Sequence, residues 1–156
     1  MKEVNNIREL EELIGLPLSR YYPEARIDHK AIALGHLMEN LAKYVKKGDA
    51  LAIEDSCKLI SLDPHMPFGK RSKSNLARSL KKSAKYINES NRAIIIRKTA
   101  SLLSLEFCPR EAEDYCSLIR KLGSDAVCSL VSLVTPINEK SLRLVSDLEC
   151  EKKEKN

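Results

Sequence analysis

Apolar residues recur along this chain at three- and four-residue intervals, the period of helices with one buried face. Val4, Ile7, Leu10, Leu13 and Ile14 open the series over 3–14, and Gly15 is placed to stop it. Residues 15–27 hold Pro17 and Pro23 and read as a connecting segment pinned to the body by Tyr21 and Tyr22. A second helix is expected over 29–47 behind Asp28, with Leu34, Leu37, Met38, Leu41 and Val45 in one stripe and Gly48 at its end. Asp49 caps a third helix, which stops at Asp63-Pro64 because the residue before a proline is pushed out of the helical region. Gly48-Asp49 is so short a link that these two helices must fold back on each other.

The pattern continues. A fourth helix is predicted over 72–87 with Leu76, Leu80 and Ala84 inward, followed by a polar break at 88–91. Ile94, Ile95 and Ile96 are β-prone, yet the amphipathic pattern runs on to Leu105, too far for a strand, so 92–105 reads as a fifth helix led by Asn91. Cys108-Pro109 opens a sixth to Leu122, with Pro109 at the first helical position. Ser124 caps a seventh over 125–134, and Thr135-Pro136 starts an eighth carrying Ile137, Leu144, Val145 and Leu148. The expected organisation is one all-α domain over 1–148. It comprises an N-terminal helix and connecting segment (1–27), a core (28–134) and a C-terminal helix (135–148), with a charged, disordered tail at 149–156.

Three helix ends share a serine-centred submotif: Leu59-Ile60-Ser61-Leu62-Asp63, Leu102-Leu103-Ser104-Leu105-Glu106 and Leu130-Val131-Ser132-Leu133. Ala52–Asp63 aligns with Ile95–Glu106 at an offset of 43 residues, and the third copy follows after 28. In this rhythm the chain resembles a short HEAT-like α-solenoid over roughly 28–134, about eight helices in antiparallel pairs. An irregular helical bundle is the competing architecture. The resemblance implies a scaffold that binds protein or nucleic acid on one face, and no catalytic residue.

Composition narrows the picture only a little. Gly (5) and Pro (6) are too scarce for an all-β fold built on tight turns. No apolar run approaches the ~20 residues that span a bilayer, and Met1–Asn6 lacks the apolar core of a signal peptide, so no membrane and a cytoplasmic location are expected. The five cysteines, no two closer than eight positions, suggest buried free thiols rather than disulfides or a zinc site. Cys108, beside Arg110, has the setting of a lowered thiol pKa, but no histidine lies near it in sequence. His29 and His36 are seven apart, too few and too far apart for zinc, so no metal and no cofactor are expected.

Charge is the stronger signal. Lys70, Arg71, Lys73, Arg78, Lys81, Lys82, Lys85, Arg92, Arg97 and Lys98 lie in one segment whose only acid is Glu89. Arg71, Arg78, Lys82 and Lys85 fall on one face of the fourth helix, opposite Leu76, Leu80 and Ala84, a stripe able to neutralise phosphates. The alternative is a solvated helix face. With no Trp and two Phe, a single-strand stacking platform is not indicated, so a duplex or structured RNA backbone is the expected nucleic-acid ligand. Tyr86 beside the stripe reads as an inter-helix packing residue. Pro64–Gly69 is a candidate binding loop through His65, Met66 and Phe68, or a rigid linker with Met66 and Phe68 plugged into the core. The functional expectation is a non-enzymatic interaction module for a protein partner, with nucleic-acid binding through 70–98 as the alternative.

Overall fold

In the computed structural model, residues 3–24 and 31–154 are described, the side chain of Lys152 excepted. Among them are eight helices and no strand: α1 (Ile7–Ile14), α2 (Ala31–Lys46), α3 (Ala50–Leu62), α4 (Gly69–Lys82), α5 (Glu89–Leu103), α6 (Ala112–Leu122), α7 (Ser124–Leu133) and α8 (Glu139–Glu154). Single 3-10 turns at Ser19–Tyr21 and Ala84–Tyr86 join them. The fold is all-α, as the periodicity predicts.

Helices two apart in sequence are neighbours. α4 lies between α2 and α6 in one layer, and α5 lies between α3 and α7 in the other. α8 closes the far end against α6 and α7, while α1 covers α2 and α3. This two-layer alternation is compatible with a helical repeat. The first and third submotif copies fill the last turns of α3 and α7 and the second straddles the end of α5 at Leu103; Leu59, Leu102 and Leu130 are all buried.

The isoleucine run fits helix α5 because α5 has packed neighbours on several sides. Ile95 is fully buried, while Ile94 and Ile96 flank it half-buried beside the grooves toward α3 and α7. Each is spent on packing, and tertiary burial overrides β-propensity.

Helix ends differ locally from expectation. Asp49 caps α3 as predicted, its carboxylate accepting from the Ala52 N–H at 2.9 Å. α5 starts behind Asn88, which accepts from Asn91 N at 2.9 Å, so Asn91 is a buried first-turn residue and not the cap. α7 starts behind Gly123 with no side-chain cap, and α6 starts at Ala112, leaving Pro109 in the preceding turn. α4 begins at Gly69 and ends at Lys82, so Lys85 sits in the following 3-10 turn. α8 continues through Glu154, past the predicted end at 148, where Arg120 of α6 lies 3.1 Å from Glu151. The predicted cap Asp28 lies outside the described residues.

The N-terminal segment is held by a polar clamp. Tyr21 is 1% exposed and donates its hydroxyl to buried Asp55 at 2.6 Å. Arg20 grips both oxygens of Asp49 at 3.2 and 2.9 Å and lies over the Tyr44 ring. Tyr22 donates to Glu11 of α1. Both tyrosines therefore pin the segment, as expected.

Candidate functional site: the groove between α2 and α4

α2 turns Leu34, Leu37, Met38, Leu41 and Val45 inward, which leaves Gly35, Glu39, Lys43 and Lys46 toward its outer side. α4 buries Leu76, Ala77 and Leu80 and leaves Arg71 and Arg78 exposed. Packed side by side, the two helices enclose a groove of about 450 Å³ lined by Gly35, Met38, Glu39, Lys43, Lys46, Phe68, Arg71, Ser72, Asn75 and Arg78. Among the described residues, four cations thus line it, against the single carboxylate of Glu39. Lys43, Lys46 and Arg71 have no ion-pair partner among the described residues. Lys43 and Glu39 also line the adjoining groove, with Arg20, Glu24, His36 and Tyr44.

The ten basic residues of 70–98 do not form one stripe. α4 and α5 belong to opposite layers, and of the α5 cations Lys98 meets the α4 set only at Lys73, through Asp63. Lys73 and Lys98, each less than a fifth exposed, converge from α4 and α5 on Asp63. Asp63 ends α3 in the left-handed conformation with φ 50°. Burial alone would raise the Asp63 pKa, but the two ammonium groups outweigh it and hold the carboxyl below its usual range. Arg92 donates to the carbonyls of Ile87 and Leu122, both at 3.2 Å, and so caps the C-terminus of α6. These three are structural cations.

On α4 itself, Arg78 grips Asp114 of α6 at 3.0 and 3.3 Å, and its pKa is raised by that carboxylate. Lys81 donates to Ser117 at 2.6 Å. Lys85 lies over the Tyr86 ring at 4.8 Å. Lys70, Arg71 and Lys82 are exposed. Arg97 donates to its own helix at Ala93 O and lines the two shallow grooves on either side of α5. Lys43 and Lys46 carry no mark in the sequence because they lie 27 and 24 residues before Lys70, where the basic run begins. Only the pairing of α2 with α4 brings them to it.

The predicted binding loop divides. Met66 is 7% exposed and plugs the core, and the His65 carbonyl accepts from Val4 N at 2.7 Å while its side chain is exposed. Phe68 does not plug the core: its ring is 70% exposed at the groove, and its backbone has φ 56°. Tyr86 packs over the α2–α3 turn, close to Gly48, and remains 56% exposed.

The remaining chemistry is quiet. Burial pushes the Cys57 and Cys116 thiols up to about 12. Cys108 is half-buried and donates weakly to the Pro109 carbonyl. His29 lies outside the described residues, and His36 is exposed on α2. Among the described residues, no group of three or more His, Cys, Asp and Glu could hold a metal ion, and no helix is long and apolar enough to cross a membrane. No protein-family model, curated protein or solved structure matches the chain.

Proposed function

We propose that the protein is a non-enzymatic, HEAT-like helical-repeat module that binds a nucleic-acid backbone in the groove between α2 and α4. The observation that carries this reading is the convergence of Lys43, Lys46, Arg71 and Arg78, from two helices, on a groove with one acid among its described lining residues. Among the described residues, three of these cations have no carboxylate partner, so a ligand's phosphates would not have to displace one. The layered packing keeps both helices rigid, which limits the ordering cost of binding. The five free thiols suit a reducing, cytoplasmic setting.

A gel shift on the full chain tests the reading. About three to four phosphate contacts predict a fall in affinity between about 50 and 200 mM salt of roughly 20–50-fold for a single strand and roughly 40–150-fold for a duplex. Lys46→Glu with Arg71→Glu should abolish binding at the higher salt. Absence of any complex with DNA or RNA at low salt would remove the proposal.

A second reading has its own observation. Leu105, Phe107, Leu133 and Ile137 are exposed around the loops that follow α5 and α7. These loops are tied together, since Thr135 N donates to Ser104 Oγ at 3.1 Å and Asn138 donates to the Leu105 carbonyl at 2.9 Å. A pre-ordered apolar patch at one end of a layer suits docking of a partner protein. It lies apart from the basic groove, so the two readings are compatible.

A further inference from the structure

Resting on that reading, we propose that the groove takes single-stranded nucleic acid, with one base stacked on Phe68 and the neighbouring phosphates held by Lys43, Lys46 and Arg71. Phe68 is the last residue before α4, in the left-handed region that favours glycine over any residue with a side chain. The backbone around it is fixed by Gly69 N donating to Met66 O at 3.0 Å and Ser72 N donating to Phe68 O at 3.0 Å. Met66 supplies the hydrophobic plug of this loop, so the Phe68 ring is not needed in the core. It stands 70% exposed beside cations instead.

The other side of the groove suits a flat ligand. Gly35 of α2 has no side chain, and a Cβ built there would meet nothing within 4 Å, so the space above it is open. Met38 beside it is buried in the core and forms only the floor of the groove. An aromatic ring on one wall, a bare glycine on the other and a cationic rim match a nucleobase with its phosphates. In a duplex the base faces are covered by their neighbours and cannot reach Phe68, whereas an unpaired base exposes one. An acidic peptide would use the cations but gain little from the ring.

The sequence contains no Trp, so Phe68→Trp creates a single reporter. The experiment measures fluorescence anisotropy of the full chain with a labelled oligothymidylate of about twelve nucleotides, a duplex of equal length and, as competitor, polyglutamate. The expected result is tighter binding of the single strand than of the duplex. Phe68→Ala, with an unchanged circular dichroism spectrum, should weaken single-strand binding by roughly 5–150-fold and leave duplex binding alone. Phe68→Trp should keep affinity, and its emission should be quenched by the oligothymidylate. Equal affinity for both forms, or binding indifferent to Phe68→Ala, overturns the stacking proposal and leaves the backbone-binding reading standing. No binding to either nucleic acid at low salt removes both. Polyglutamate binding as tight as the single strand and independent of Phe68 would identify an acidic peptide and overturn it.

Discussion

Lys98 of α5 places its ammonium nitrogen 2.5 Å from an oxygen of Asp63, the residue that ends α3. Lys73 of α4 takes the other oxygen, so one carboxylate ties together three helices from both layers. Asp63→Asn would leave two largely buried ammonium groups without a counter-charge. It should cost about 1–3 kcal/mol in urea denaturation. The pH dependence has a definite sign. Asp63 has a lower pKa folded than unfolded, so its stabilisation is present above the unfolded value of about 4 and is lost as pH falls through the folded one. Asp63→Asn should therefore flatten the loss of stability in acid. A wild-type-like acid profile in the variant would contradict this.

Tyr21 and Asp55 act in the opposite sense. Burial raises the Asp55 pKa, and the Tyr21 hydroxyl and Arg20 only partly counter it. A carboxyl whose folded pKa is raised stabilises below its unfolded value, and that contribution is lost as pH rises through the folded one. Tyr21→Phe removes the donor and should raise the Asp55 pKa further. The variant should lose about 1–3 kcal/mol at neutral pH and recover part of it on acidification toward about pH 4. Chemical denaturation at several pH values checks this.

Gly48 links α2 to α3 with φ 80°, and a Cβ there would lie 2.7 Å from the Tyr86 ring. Gly48→Ala should destabilise by about 1 kcal/mol or more, combining left-handed backbone strain with a clash. Tyr86→Ala should relieve the clash and not the strain. In a double-mutant cycle the Gly48→Ala cost should be smaller in the Tyr86→Ala background yet still present.

The thiols should separate by burial. Cys150 is exposed, whereas Cys57 and Cys116 are buried and pushed up to about 12. A thiol reagent at about pH 8 should label Cys150 in the native protein and reach Cys57 and Cys116 only on unfolding. Rapid native labelling of Cys57 would contradict the packing of α3.

Elements with a strong local pattern were legible in the chain. The α2–α3 hairpin follows from Gly48-Asp49, and Leu59, Leu102 and Leu130 are buried near helix ends, as their pattern predicts. The helical state of Ile94–Ile96 was also readable, from the length of the pattern around it. The site was less so. Charge counted along the chain grouped Lys98 and Arg92 with Arg71, although alternation between layers sends α5 away from α4. Lys43 and Lys46 carried no local mark, because membership of the groove depends on which helices pair. Phe68 was read partly as a core plug because nothing in Pro64–Gly69 announces which of Met66 and Phe68 turns inward; the positive φ at Phe68 decides it. α8 runs past its apolar anchors to Glu154, and Glu151 there lies 3.1 Å from Arg120 of α6.

The central claim is that the face between α2 and α4 holds a nucleic-acid backbone. An amide-resolved NMR titration of the ¹⁵N-labelled chain with a single-stranded oligonucleotide at low salt tests it most directly. The account predicts shifts concentrated at Gly35, Lys43, Lys46, Phe68 and Arg71, fading as salt is added. Shifts confined to α5 and α7, or no shifts at all, would contradict it.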